Sequence, residues 1–352
     1  MAKHFALCLV GLKQTEIIIK LIVITVILDL LIGDPKGLPH PVQFMGTVID
    51  FLREIFVRIA KENKSKLYLG GAIITFVVLF ISGMSGWIIE RLFFHFQIKN
   101  NILSTLLFSF ILSSSLASRS LNKSIYEIIN FIRKQTDKSG LDIVREKLSL
   151  IVGRDVENLD TKEILRAAAE TASENSVDGI FAPLFWIFLG TISWQFNRLL
   201  PGPLAMAWIF KASSTIDSMI GYKEGKLKWL GFTGAKLDDF MTFIPARIVL
   251  ITLPFCCKTK QSISKTISQA WKDGVADPSP NSGISEAIFS YCAEVRMGGI
   301  NYYKGKKKIK PIIGKYFPIA SIDSIKRILN LILRLQLAWI LGFSLIMKLT
   351  TL

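Results

Sequence analysis

One apolar block constrains this chain more than any other feature of its sequence. Residues 67–89 form 23 consecutive positions without a charged side chain. A helix needs roughly 17–25 apolar residues to cross about 30 Å of hydrocarbon, so this block is long enough to span a bilayer. The composition agrees, because 51% of the 352 residues are hydrophobic. The sequence therefore predicts an integral membrane protein.

The distribution of apolar runs predicts an all-α, multi-pass fold in one membrane-embedded domain, residues 1–352. Spans are expected near residues 17–32, 67–89, 102–117 and 331–347. The first is interpreted as a retained anchor, because the chain before it has no small-residue cleavage site. Two proline-containing runs, 180–210 and 244–257, are interpreted as broken, re-entrant or interfacial pieces. The alternative is two ordinary spans with kinks.

The positive charge predicts an orientation. The chain has 43 Lys and Arg against 27 Asp and Glu, a net charge of +16. Residues 90–101 carry 2 basic residues, whereas 118–179, 211–243 and 258–330 carry 10, 5 and 13. Basic segments remain on the cytoplasmic side, so these three segments and the active site are expected there, at the inner membrane. Anionic headgroups explain the charge, and no nucleic-acid partner is expected.

Helical periodicity continues into the polar segments. Apolar residues recur at helix spacing over 121–132 and 141–151, and Asp160 followed by Glu163 matches a capping box at the start of another helix. Residues 271–314 are rich in Gly, Ser, Pro and Asn, and they predict ordered loops and short helices. No sustained alternation of period two indicates a strand.

The sequence lacks the motifs of several common classes of catalytic site. The four cysteines form no C-x-x-C pair, and none of the three histidines pairs with another at ligand spacing, so a zinc site is not expected. The sequence contains no phosphate-binding G-x-x-x-x-G-K-[ST] loop and no G-x-S-x-G elbow.

The first candidate motif is an acidic helix face. At 100° per residue, Glu163, Glu170, Glu174 and Asp178 fall within about 80° of one another. Like charges at this spacing repel one another unless a metal cation or a Lys or Arg side chain neutralises them. Magnesium is a natural counter-ion for such a face. The alternative is a solvated acidic face.

The remaining motifs place polar residues between apolar ones. Lys211 precedes Asp217 on one stretch, and adjacent Asp238 and Asp239 precede Arg247 on another. Neighbouring aspartates point to different sides of a helix, so one is expected to face the site and the other to pair with a base such as Arg247. Two further motifs are Asp34-Pro35 with His40-Pro41-Val42, which also suits a structural turn, and Ser279-Pro280-Asn281.

These motifs together resemble those of the cobalamin biosynthesis protein CbiB/CobD family, in the same order over roughly residues 20–345. They include Gly33-Asp34-Pro35, Val152-Gly153-Arg154-Asp155, Glu170-Thr171, Glu174-Asn175, Asp178-Gly179, Asp217-Ser218-Met219, Gly221-Tyr222, Asp238-Asp239, Pro245-Ala246-Arg247 and Ser279-Pro280-Asn281. The resemblance implies a multi-pass membrane ligase, an adenosylcobinamide-phosphate synthase. Such an enzyme joins aminopropanol, or its phosphate, to the free propionate of adenosylcobyric acid at the expense of ATP, with the corrinoid as substrate.

The resemblance also implies roles for individual residues. Catalytic roles are expected for Glu170, Glu174, Asp178, Asp217, Asp238 and Asp239. Substrate binding is expected for His40, Arg154, Asn175, Lys211, Arg247 and Asn281. Magnesium is expected at Glu174, Asp178, Asp217 and Asp238, where it would bind the phosphates of ATP. The amine and the oligomeric state are left open, with a homo-oligomer as one alternative.

The chain departs from the family pattern at a few positions. Ser214 and Thr242 stand where asparagines are expected, Asp277 where a histidine is expected, and Ile300 where a proline is expected. These departures concern contacts to substrate or nucleotide and leave the acidic residues unchanged. The competing hypothesis is a membrane transporter or sensor that binds a corrinoid or a small anionic ligand, although the sequence has no inverted repeat.

Overall fold

The computed structural model describes residues 2–35, 37, 39–97, 102–134, 138–222, 224–258 and 261–350. Within these residues the fold is mostly helical. The α-helices are α1 Ala2–Leu31, α2 Pro41–Ala60, α3 Lys64–Gln97, α4 Ile102–Ser113, α5 Ser118–Lys134, α6 Lys138–Ser149, α7 Thr161–Ser176, α8 Ala182–Phe196, α9 Pro203–Ile220, α10 Leu227–Leu230, α11 Phe232–Thr252, α12 Ile263–Gly274, α13 Ser282–Ala293 and α14 Ile322–Leu349. A π-helical turn, Val177–Phe181, follows α7, and a 3₁₀ turn, Leu253–Cys256, follows α11.

The chain divides into two compact units, a finer division than the one membrane-embedded domain that the sequence predicted. The first unit comprises Met1–Ala117, Ala182–Thr242 and Ile340–Leu352. The second comprises Ser118–Phe181 and Phe243–Trp339.

In the first unit, a carboxylate of α3 caps the start of α9. Pro203 suits the first position of α9, but the preceding Gly202 has no side chain to accept hydrogen bonds from the first turn. The fully buried Glu90 supplies the acceptors: it receives the backbone N–H groups of Gly202, Leu204 and Ala205 at 2.8–2.9 Å. This side chain therefore joins α3 to α9.

The second unit contains α5–α7 and α12–α13. The periodic segments that the sequence predicted as helices are α5 and α6, and the predicted capping box opens α7. The Glu163 N–H donates to Asp160 Oδ1 at 2.8 Å, and the Asp160 N–H donates to Glu163 Oε2 at 3.4 Å. Helix α13 packs against both α7 and α12.

The second unit also contains a β-hairpin that the sequence pattern did not predict. Strands β1 Met297–Tyr303 and β2 Lys306–Ile313 pair antiparallel, within the region expected to hold only loops and short helices. Lysine is weakly represented in strands, and β2 begins with three lysines. Pairing is determined instead by the tight turn at Lys304-Gly305, both of which have positive φ angles.

Four helical segments of the described chain are long and apolar enough to cross a membrane: Lys64–His95, Thr161–Phe196, Phe232–Cys256 and Ile322–Leu349. A bent pair, Ile102–Ser113 with Ser118–Lys134, meets the criterion jointly. These segments support an all-α membrane protein, and they contain the predicted runs 67–89 and 331–347.

Of the two runs that were interpreted as broken, 180–210 is interrupted between the end of α8 at Phe196 and the start of α9 at Pro203. Both runs include parts of helices that are longer than their apolar residues indicated. Pro245 lies inside α11, whose polar first half was not counted toward its length. Residues 180–196 continue from α7 through the π-helical turn. The number of spans, the re-entrant segments and the orientation stay predictions.

Candidate functional site

Glu170 is the centre of a buried ion network in the second unit. The residue is 1% exposed, and both of its carboxylate oxygens accept hydrogen bonds. Oε1 receives the Gly298 N–H at 2.7 Å and Arg166 Nη1 at 3.2 Å, while Oε2 receives Arg154 Nη2. A carboxylate so fully engaged is suited to positioning other groups rather than to contacting substrate.

The two arginines attach strand β1 to helix α7. Arg166 donates to the carbonyls of Gly298 and Ile300, each at 2.9 Å, and Arg154 Nη1 donates to Asn301 Oδ1 at 2.5 Å. Burial alone would lower the pKa of Arg154, but the Glu170 carboxylate outweighs it and raises that pKa. The sequence-predicted substrate ligand Arg154 is thus engaged with protein partners in this structure.

Glu286 and Lys310 extend the network, and neither was among the residues predicted from the motifs. Lys310 Nζ lies 2.7 Å from Glu286 Oε1 and 3.6 Å from Asp277 Oδ2. Burial raises the pKa of Glu286 to about 8, against the opposing effect of Lys310. Burial lowers the pKa of Lys310, but the carboxylates of Glu286 and Glu174 outweigh it and raise that pKa above its ordinary value.

A sequence signal for Glu286 does exist. It is the one charged residue in the stretch that forms α13, and it stands between Ile284 and Ile288. Lys310 has no such signal, because it is one of several lysines in β2.

The acidic face of α7 divides into different environments. Glu163 belongs to the capping box, Glu170 is buried, and Glu174 and Asn175 are half-buried. Glu174 lies within electrostatic reach of Lys310, Asp277, Glu170 and Arg154. Basic side chains therefore offset part of the negative charge on this face.

Asp178 is the exception on this face. It lies in the π-helical turn rather than in α7, so the rotation of 100° per residue used in the sequence analysis does not apply there.

The aspartates of α9 and α11 lie together in the first unit. Asp238 is within electrostatic reach of Asp217, Asp239 and Lys211, and its Oδ1 is buried without a hydrogen-bond partner. The more exposed Asp239 lies 3.7 Å from Lys236 on the same helix, and a pairing with Arg247 stays a prediction.

Gly221 makes room for the Asp217 carboxylate. A Cβ added at this position would lie 2.0 Å from Asp217 Oδ1. The close approach of Asp217 therefore explains why the Asp-Ser-Met…Gly-Tyr motif has a glycine at this position.

The two hydroxyl residues at the departures from the family pattern differ in environment. Ser214 is half-buried, and its backbone carbonyl accepts the Ser218 hydroxyl at 2.8 Å. Thr242 is 2% exposed, and its Oγ1 is buried without a partner.

His40 opens helix α2. Its Nδ1 accepts the Val42 N–H at 3.3 Å, and its Nε2 lies 3.1 Å from Asp34 Oδ1. The ring lines a mostly apolar cavity of about 260 Å³ beside Trp208. The structural role that the motif suggested is present, and substrate binding by His40 stays a prediction.

Arg247 and Asn281, both predicted to bind substrate, contact each other in the second unit. Arg247 Nη1 donates to Asn281 Oδ1 at 2.7 Å, and Nη2 donates to the Pro280 carbonyl at 2.9 Å. The guanidinium also stacks on Phe243, 3.5 Å from the ring centre. Asp277 shapes the same turn, because its Oδ1 accepts the Ser279 N–H at 2.8 Å.

The four predicted magnesium ligands are divided equally between the two units. Glu174 and Asp178 belong to the second unit, and Asp217 and Asp238 belong to the first. Across the described residues, no group of three or more His, Cys, Asp or Glu side chains is arranged to hold a metal ion. The magnesium assignment stays a prediction.

Comparison with known proteins gives a consistent family. The model of the CobD/Cbib protein family matches residues 22–332. The chain is 37% identical to the cobalamin biosynthesis protein CobD of Synechocystis over 82% of this chain and 80% of that protein. It is 37% identical to CobD of Clostridium acetobutylicum, covering 84% and 87%, and 34% identical to CbiB of Salmonella typhi, covering 87% and 90%. No solved structure matches the chain.

Proposed function

Because the chain belongs to the CobD/CbiB family of cobalamin biosynthesis proteins, we propose that it catalyses the amide-forming step as an adenosylcobinamide-phosphate synthase. Aminopropanol, or its phosphate, becomes attached to the free propionate of adenosylcobyric acid. The observation that carries the proposal is the match over residues 22–332, which contains every predicted site residue. A carboxylate acylates poorly at neutral pH, so ATP is expected to activate it as an acyl phosphate that the amine then attacks.

The carboxylates of the first unit suit the phosphate side of this reaction. Asp238 has a buried oxygen without a protein partner and lies within electrostatic reach of Asp217. Carboxylate oxygens are the ligands that Mg²⁺ prefers, so Asp217 and Asp238 would hold it, and the ion would neutralise phosphate charge when bound. Lys211 adds a positive charge to the same cluster.

The second unit suits a binding role toward the organic substrates. Glu170 fixes Arg154, Arg166 and strand β1, so we assign it a positioning role. Arg247 and Asn281 place a guanidinium and an amide side by side. Such groups can hydrogen-bond the propionate and amide substituents of a corrinoid.

We also propose that the protein resides in the inner membrane with its active site facing the cytoplasm. The distribution of Lys and Arg supports this orientation, because the three basic segments carry 10, 5 and 13 of the 43 Lys and Arg residues.

The proposal is tested with detergent-purified protein, ATP, Mg²⁺, adenosylcobyric acid and each form of the amine. We expect an ATP-dependent amide product from the wild type and at least a hundredfold slower turnover from Asp217→Asn. Asp142→Asn, an exposed carboxylate-to-amide change in α6, is the control and should retain wild-type turnover. Corrinoid flux in vesicles without any product would instead favour a transporter.

A further inference from the structure

Two buried polar atoms of the second unit's ion network have no hydrogen-bond partner. One is Oε2 of Glu286, a residue with no exposed surface, and the other is Nδ2 of Asn301, which is 2% exposed. The opposite ends of both side chains are engaged, since Glu286 Oε1 receives Lys310 and Asn301 Oδ1 receives Arg154. Leaving a buried acceptor or donor unsatisfied costs roughly 1–3 kcal/mol, more when it is charged. The network therefore leaves one acceptor and one donor unsatisfied.

The charges of the network do not balance either. Its acidic members are Glu170, Glu174, Asp277 and Glu286, and its basic members are Arg154, Arg166 and Lys310. Four carboxylates against three cations leave one negative charge. In the protein alone a proton can offset it, because burial raises the pKa of Glu286 to about 8. A monovalent cation could replace that proton.

We propose that this network binds the ammonium group of the amine substrate, with Glu286 Oε2 as its acceptor and Asn301 Nδ2 donating to an oxygen of the same molecule. The inference rests on the proposed function, since it assigns the amine of that reaction to a site. An ammonium brings the single positive charge that the network lacks and the donors that Glu286 needs. Both aminopropanol and its phosphate also carry an oxygen that can accept from an amide.

Charge and donor chemistry favour this ligand over a divalent metal ion. Lys310 Nζ already occupies one side of Glu286, and Asn301 presents an N–H donor, which cannot ligate a metal. A dication would also exceed the one unbalanced charge.

The test compares Glu286→Gln and Asn301→Ser with the wild type and with the Asp142→Asn control. We expect Glu286→Gln to raise the KM for the amine at least tenfold and Asn301→Ser to raise it about threefold, while the KM values for ATP and the corrinoid change less than twofold. A merely structural role would move all three KM values. If Glu286→Gln does not fold, Asn301→Ser alone decides the test, through its KM for the amine and its amine binding.

A binding measurement separates this inference from the proposed reaction. Titration calorimetry with 1-aminopropan-2-ol, with its phosphate and with 1,2-propanediol should show that wild-type protein binds only the amines. Loss of that binding in Glu286→Gln supports the site even if no amide forms. Unchanged amine KM in both variants, or no amine binding by the wild type, overturns it. A buried water would then satisfy the two atoms, while the proposed reaction could stand.

Discussion

Replacing Glu170 tests whether the buried ion network positions the site or performs chemistry. The carboxylate accepts from two arginines and one backbone N–H, and water does not reach it. Glu170→Gln removes the negative charge. The new side-chain NH₂ group is a donor, and it faces groups that are themselves donors: the two arginines and the Gly298 N–H. Arg154 and Arg166 then share a buried region without their central counter-ion.

The expected loss of stability is large. Removing one partner from a buried ion pair costs roughly 3–5 kcal/mol, because the remaining charge stays desolvated. For a domain of 150–250 residues, about 1 kcal/mol lowers the unfolding midpoint by roughly 2–4 °C. We therefore expect the midpoint to fall by roughly 6–20 °C.

The assay is thermal unfolding in detergent, followed by intrinsic fluorescence. Glu163→Gln is the matched control, since it makes the same chemical change on the same helix at a half-buried capping position. It should cost less than about 1 kcal/mol. In a double-mutant cycle, Arg154→Met combined with Glu170→Gln should lose less than the sum of the two single changes, because the pair interacts directly.

The positioning role is refuted by a specific pair of results. If Glu170→Gln unfolds within 1 °C of the wild type and yet abolishes turnover, Glu170 acts on the substrate rather than on the fold.

Three other perturbations have defined outcomes. Glu90→Ala leaves three buried N–H groups at the start of α9 without an acceptor, so it should lower the free energy of unfolding by about 2–4 kcal/mol, measured by denaturant titration, and Glu90→Gln by less. The pKa of Glu286 is raised from 4.5 to about 8 by burial, so its stabilising contribution is present below pH 4.5 and is lost as the pH rises to about 8. The free energy of unfolding, measured by denaturant titration across this window, should decline in the wild type by at most about 1.4 kcal/mol per pH unit and decline less in Glu286→Gln. Gly221→Ala places a methyl group 2.0 Å from Asp217 Oδ1 and 2.5 Å from the Asp217 backbone carbonyl oxygen, so it should reduce turnover at least tenfold in the amide assay and also lower the unfolding midpoint.

Local sequence patterns account for much of the helical architecture. The 3.6-residue spacing identifies α5 and α6, and the pair Asp160 and Glu163 marks the start of α7, because these signals act within one or two turns. The length of an apolar run similarly identifies α3 as a candidate span. The same method underestimated α11, where polar residues continue the helix beyond the apolar run.

The candidate site was predicted in part. The motifs identified Asp217 and Asp238, which lie within electrostatic reach of each other, and Arg247 and Asn281, which are in contact. They did not distinguish the engaged Glu170 from the half-buried Glu174, since both follow the same helical spacing.

The sequence by itself determined the membrane class, the helical segments and the family, because these depend on composition and on residues close in the chain. Only the tertiary structure decided which partner each buried charged side chain contacts. Lys310 meets Glu286 24 positions away, Arg154 meets Asn301 147 positions away, and Glu90 meets the start of α9 more than 110 positions away. A buried charge needs a partner wherever the fold brings one, and no local pattern specifies which of many lysines or amide groups that partner will be.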